Sequence, residues 1–114
     1  MKNKNIAYIW DMINAIQQIQ EFTKNITYQE YQNSSLIKSA VERQFEILGE
    51  ASRRLSLEFT ESNSQIEWKD IIGLRNIIAH QYEKVNPKTL WNIIIKLQPL
   101  KEKLQFLLSS WSET

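Results

Sequence analysis

The sequence predicts an all-α fold, an antiparallel bundle of four to five helices in a single domain spanning residues 1–114. Apolar residues recur at steps of three and four, the spacing of one helical face, rather than at the alternation of a half-buried strand. Only two glycines and two prolines punctuate the 114 residues, so few positions favour turns. An apolar fraction of 42%, with four tryptophans, suffices for a core without disulfide or metal staples.

In the first segment Ile6, Ile9, Ile13 and Ile16 form a stripe that Tyr8, Met12, Ala15, Ile19 and Phe22 widen, giving a helix from about Asn5 to about Lys24. Thr27-Tyr28-Gln29-Glu30 is a capping-box pattern and predicts a short helix at Tyr28 to Gln32. Ser34 or Ser35 caps a long second main helix, whose Ile37, Val41, Leu48, Ala51 and Leu55 share a face and which ends near Phe59. The polar run Thr60 to Gln65 reads as a surface loop. Trp68 then opens a third main helix, with Ile71, Ile72, Leu74, Ile77 and Ile78, that runs to about Gln81. Asn86-Pro87 is a strong start signal for a last helical stretch from Leu90 to Trp111, with a kink or break near Pro99.

Fourteen Lys and Arg against thirteen Asp and Glu leave a formal charge of +1. That balance excludes a protein that grips nucleic acid through many phosphates, so any such role rests on a local site. The lack of cysteine removes disulfides, zinc–thiolate sites and thiol nucleophiles. After Lys2 and Lys4 the apolar residues are interrupted by Asp11, Asn14, Gln17 and Gln18, which fits neither a signal peptide nor a membrane span. A cytoplasmic protein is expected. The tryptophans, Trp10, Trp68, Trp91 and Trp111, are spread over four segments and read as core or interface packing.

The single histidine, His80, closes the third main helix in the stretch Arg75-Asn76-Ile77-Ile78-Ala79-His80-Gln81-Tyr82. Asn76 and His80 lie one turn apart on one side, with Arg75 and Tyr82 on an adjacent strip, so four polar groups interrupt an apolar run along one edge. Two readings compete. In the structural one, His80 caps the helix C-terminus, Arg75 pairs with an acid on the second main helix, and Tyr82 packs its ring at the helix end. In the catalytic one, the imidazole transfers protons near neutral pH while the permanent guanidinium holds a phosphate. That pair suits metal-free phosphodiester cleavage with an RNA 2′-hydroxyl as nucleophile. One histidine cannot serve as both base and acid unless it cycles or a two-fold dimer supplies a second copy. Arg43, Glu46 and Glu50 share a stripe on the second main helix. Two carboxylates at this spacing suit a divalent ion or acid–base work. With no further histidine or aspartate cluster nearby, a supporting role is favoured, holding Arg75 or its symmetry mate. Lys38, Arg43, Arg53 and Arg54 read as a basic edge for phosphate or as a solvated face.

Arg75 to Tyr82 resembles the R-x4-H-x-Y signature of HEPN-domain ribonucleases, specifically the HepT-like toxins. Ala40 to Ala51 and Trp68 to Arg75 resemble that family's second and third helices, so the likeness covers nearly the whole chain. The resemblance implies a helical homodimer in which Arg75 and His80 of both subunits line one RNA-cleaving cleft with no metal or other cofactor. Asn76 matches a polar residue often found after the motif arginine, a positioning group. Such toxins are paired, in a type VII-like toxin–antitoxin system, with an MNT-family nucleotidyltransferase antitoxin that transfers AMP from ATP to the motif tyrosine, here Tyr82. The implied function is an endoribonuclease toxin acting on tRNA or mRNA. The alternative is a non-catalytic HEPN subunit that docks the nucleotidyltransferase, and nucleotide, through the same polar edge.

Overall fold

The computed structural model describes residues 4–80 and 86–112, with side chains described for 4–74 and 86–110. The described residues are all-α and contain no strand. In chain order the helices are α1 (Lys4–Phe22), α2 (Tyr28–Gln32), α3 (Ser35–Arg53), α4 (Leu57–Ser62), α5 (Trp68–His80), α6 (Pro87–Ile94) and α7 (Leu97–Ser112).

The core is built on α1. Ile9, Met12, Ile13, Ala15, Ile16 and Ile19 are all 1% exposed or less, and they meet Val41, Phe45 and Leu48 of α3 and Leu104 and Leu107 of α7 in one cluster. Polar ties at both ends set the helix directions. Asn5, at the start of α1, donates from Nδ2 to Ser56 Oγ just beyond the end of α3 and accepts from Ser56 N. Gln20, near the end of α1, donates to Gln98 Oε1 and accepts from Lys101 Nζ at the start of α7. Thus α1 runs antiparallel to both neighbours, with α3 also packed along α5.

Seven helices among the described residues replace the four to five expected, because two predicted helices are each broken. The long second main helix stops at Arg53, although Ala51, Leu55 and Phe59 keep a helical four-residue spacing and are all buried. The backbone tightens where Arg54 N bonds to Ala51 O and Leu55 N to Ser52 O. Ser56 N, which an unbroken helix would give to residue 52, is taken by the Asn5 side chain. Ser56 Oγ then accepts from Phe59 N as the N-cap of α4, which extends over Thr60 to Ser62 where a loop was expected. The second break lies at Ile95 and Lys96, as the proline predicts: an unbroken helix would set the Pro99 ring against the carbonyl of residue 95. Pro99 instead sits in the first turn of α7, where its missing N–H costs nothing.

The predicted caps are present. Thr27 Oγ1 accepts from Glu30 N at 3.1 Å while Glu30 Oε1 accepts from Thr27 N at 2.9 Å, and Ser34 and Asn86 cap α3 and α6. Asn25, between α1 and α2, takes the left-handed conformation (φ 61°) that asparagine tolerates. No helix among the described residues is long and apolar enough to cross a membrane.

Candidate active site

Helix α5 carries Arg75, Asn76 and His80 on its C-terminal half. The side chains of these three residues, and Tyr82 altogether, lie outside the described residues. The N-terminal half of α5 is firmly held. Trp68 is 7% exposed, donates from Nε1 to Asn63 O at 3.0 Å, and packs its ring on Phe59 with centroids 6.0 Å apart. Ile71 and Leu74 pack on the core one and two turns later. The motif therefore sits on a helix whose rotation is fixed by three apolar side chains. Helical geometry separates positions 75 and 80 by about 7.5 Å along the axis and about 140° around it, whereas 76 and 80 are only about 40° apart.

Packed beside α5 and α1, α3 presents the predicted supporting residues. Glu50 accepts from Arg53 Nη2 at 2.7 Å and from Arg54 Nε at 3.2 Å, and Arg43 Nη1 lies 3.6 Å from Glu46 Oε1. These ion pairs join residues three or four apart on one helix, with the arginines more than half exposed. The three arginines of the predicted basic edge are thus partly offset by two carboxylates of their own helix. With Tyr8 and Asp11 of α1, residues Arg43, Glu46, Glu50 and Arg54 line an open groove of about 410 Å³. Among the described residues, no three His, Asp or Glu side chains converge to hold a metal ion.

Two features of the structure left no mark in the sequence. Tyr31 of α2 is 0% exposed, and its hydroxyl has no hydrogen-bond partner among the described residues. Its ring lies against Trp91 of α6, centroids 5.3 Å apart, while Lys88 Nζ sits 4.3 Å over the neighbouring Tyr28 ring. Burial, with the charge of Glu42 and then Tyr28 adding to it, pushes the Tyr31 phenol up to about 12. Burial also raises the Glu42 carboxyl, against the opposing charge of Lys38 and with Glu46 acting in the same sense. Of the tryptophans, Trp68 is buried, Trp91 is half-buried against the core and Trp10 is 53% exposed; the Trp111 side chain lies outside the described residues. A third feature has a weak sequence signal, an isolated glycine inside a helical pattern. Gly73 of α5 is half-buried, and a Cβ placed on it would meet nothing within 4 Å among the described residues.

Comparison with known proteins gives this arrangement a family. The profile of the HepT-like ribonucleases matches residues 12–107, from α1 through the motif helix to α7. A Methanocaldococcus jannaschii protein named "Putative RNase" is 40% identical over 88 residues, covering 77% of this chain and 81% of that protein. A "Probable ribonuclease HepT" of Thermococcus cleftensis is 32% identical over 108 residues, covering 94% of this chain and 98% of the relative. A second "Putative RNase", from Caldanaerobacter subterraneus, is 32% identical over 96 residues, covering 84% and 86% of the two chains. No solved structure matches the chain. A profile match over most of the sequence, joined by relatives aligned over four-fifths or more of their length, establishes that the chain belongs to the HepT-like ribonuclease family.

Proposed function

We propose that this member of the HepT-like ribonucleases is a metal-independent endoribonuclease toxin acting as a homodimer, with Arg75 and His80 of both subunits in one cleft. The observation that carries the reading is the family match across residues 12–107, which takes in Arg75, Asn76, His80 and Tyr82 in their R-x4-H-x-Y order. His80 of one subunit removes the proton from an RNA 2′-hydroxyl. The 2′-oxygen attacks the adjacent phosphorus, and the 5′-oxygen leaves with a proton from His80 of the other copy. The products are a 2′,3′-cyclic phosphate and a 5′-hydroxyl end. Arg75 stabilises charge on the non-bridging oxygens, and Asn76 positions the phosphate. The tight anchoring of α5 through Trp68 supports this reading, because proton transfer needs groups held to within fractions of an ångström.

The same reading assigns Tyr82 as the site to which an MNT-family nucleotidyltransferase antitoxin adds AMP. The phosphate and nucleoside would block the cleft and compete for Arg75 without unfolding the chain. Cleavage of total cellular RNA by unmodified protein in EDTA, beside His80→Ala and Arg75→Ala, tests the catalytic assignment. Discrete fragments ending in cyclic phosphate, formed by the wild type and reduced about 10²-fold or more in either variant, are expected. Intact RNA with the wild type, when mass spectrometry shows Tyr82 unmodified, would instead favour a non-catalytic subunit that docks the nucleotidyltransferase. The small net charge of +1 is what keeps that second reading in play.

A further inference from the structure

The face of α5 turned away from the core carries a cation and a gap in line with the motif. Trp68, Ile71 and Leu74 define the core side of the helix. On the other side, Lys69, Gly73, Asn76 and His80 occupy positions within about 60° of one another, at intervals of four, three and four. Lys69 is exposed and has no ion-pair partner among the described residues, in contrast to Arg43, Arg53 and Arg54 of α3. Asp70 is also exposed, but its position lies about 80° from that of His80, against about 20° for Lys69. Between Lys69 and the motif sits Gly73, where nothing among the described residues fills the space a side chain would take. A helix-interior glycine is less favourable than alanine, and no contact among the described residues explains this one.

We infer that the Lys69–Gly73 face of α5 is a track for the RNA strand leading to His80, with Gly73 admitting the sugar-phosphate backbone against the helix and Lys69 holding a phosphate upstream. This rests on the ribonuclease reading above and adds two positioning residues to it. Lys69, an exposed cation with no ion-pair partner among the described residues, makes the far end of the stripe complementary to a polyanion. From Lys69 to His80 is about 16 Å along the axis, a span of a few nucleotides.

The test uses full-length protein and a fluorescein-labelled, fully 2′-O-methylated single-stranded oligonucleotide, which binds without offering a nucleophile. Gly73→Ala is expected to raise Tm, because the new methyl meets nothing among the described residues, while weakening oligonucleotide binding several-fold. Lys69→Gln is expected to weaken binding at low salt and to flatten the slope of log K against log salt by about 0.7, the loss of one single-strand phosphate contact. Unchanged binding in both variants, or a wild type that does not bind the oligonucleotide, overturns the proposal. So does a Gly73→Ala protein that loses its dimer by light scattering while binding per subunit is kept, since the gap then belongs to the second copy. Should Gly73→Ala fold poorly, Lys69→Gln, an exposed change, still decides. The two readings fail separately: wild type and His80→Ala cleaving alike removes the catalytic assignment, while the binding comparison stands without any cleavage.

Discussion

Replacing Tyr31 by phenylalanine should stabilise the protein. The ring is fully buried against Trp91 and would stay there, while the oxygen removed has no partner among the described residues. A buried hydroxyl without a hydrogen bond costs about 1–3 kcal/mol, and the one-atom void left behind returns a few tenths of that. The net gain expected for Tyr31→Phe is about 1–2 kcal/mol, or about 4–8 °C in Tm at roughly 4 °C per kcal/mol for a domain of this size. Thermal and urea unfolding followed by circular dichroism would measure it, with Tyr31→Ala as the control that loses the ring and about 3–5 kcal/mol. The alkaline limb gives an independent check. The phenol is raised from 10.0 to about 12 in the folded protein, so the unfolded chain releases the proton first. Stability from this group is intact below pH 10 and falls by about 2–3 kcal/mol as pH rises to 12; the phenylalanine variant should lack that component. A Tyr31→Phe protein that melts lower than wild type would refute the reasoning by showing that the hydroxyl is hydrogen-bonded in solution, and an unchanged alkaline limb would show that the phenol is not raised.

Three further substitutions probe other parts of the design. Ile16→Ala, at a fully buried position midway along α1, should cost about 2–5 kcal/mol in urea unfolding with little change in m. Thr27→Ala removes one half of the capping box at α2 and should cost about 1 kcal/mol, read as a lower Tm. Glu42→Gln should raise Tm at neutral pH, with the gain shrinking as pH falls to 4.5 and below. Burial raises this carboxyl, so its contribution is fully present below the ordinary value and is lost as pH rises through the folded one. A constant difference across that range would contradict the assignment.

Periodicity located α1, α3 and α5 because their apolar stripes are local facts, and Thr27, Ser34 and Asn86 could be read as caps because their partners lie two or three residues away. The break between α3 and α4 was hidden for the opposite reason. Ala51, Leu55 and Phe59 continue a helical spacing through it, and the Asn5 side chain that captures Ser56 N is 51 residues distant. Pro99 announced the second break, since its ring acts on the residue four positions earlier whatever the tertiary context. Around the site, the sequence placed the motif on one helix and three candidate supports on another. It did not show that Glu50 would be held by Arg53 and Arg54, a choice made by rotamers along α3. Nor did a tyrosine in the polar segment Tyr28-Gln29-Glu30-Tyr31-Gln32 signal complete burial, which depends on α6 bringing Trp91 against it.

The charge balance gains a spatial meaning from these ion pairs. Three of the chain's arginines, Arg43, Arg53 and Arg54, lie next to two carboxylates on α3, which offset part of that helix's positive charge. A polyanion approaching a chain of net charge +1 is therefore not drawn by a broad positive field, and its orientation must come from single cations set at defined positions. On α5 the motif supplies Arg75, and the exposed Lys69 lies on the side facing away from the core. Few phosphate contacts mean modest affinity for RNA in general and a shallow dependence on salt. Selectivity then depends on how the strand fits between those contacts, and a smooth stretch of helix at Gly73 would matter more than added positive charge.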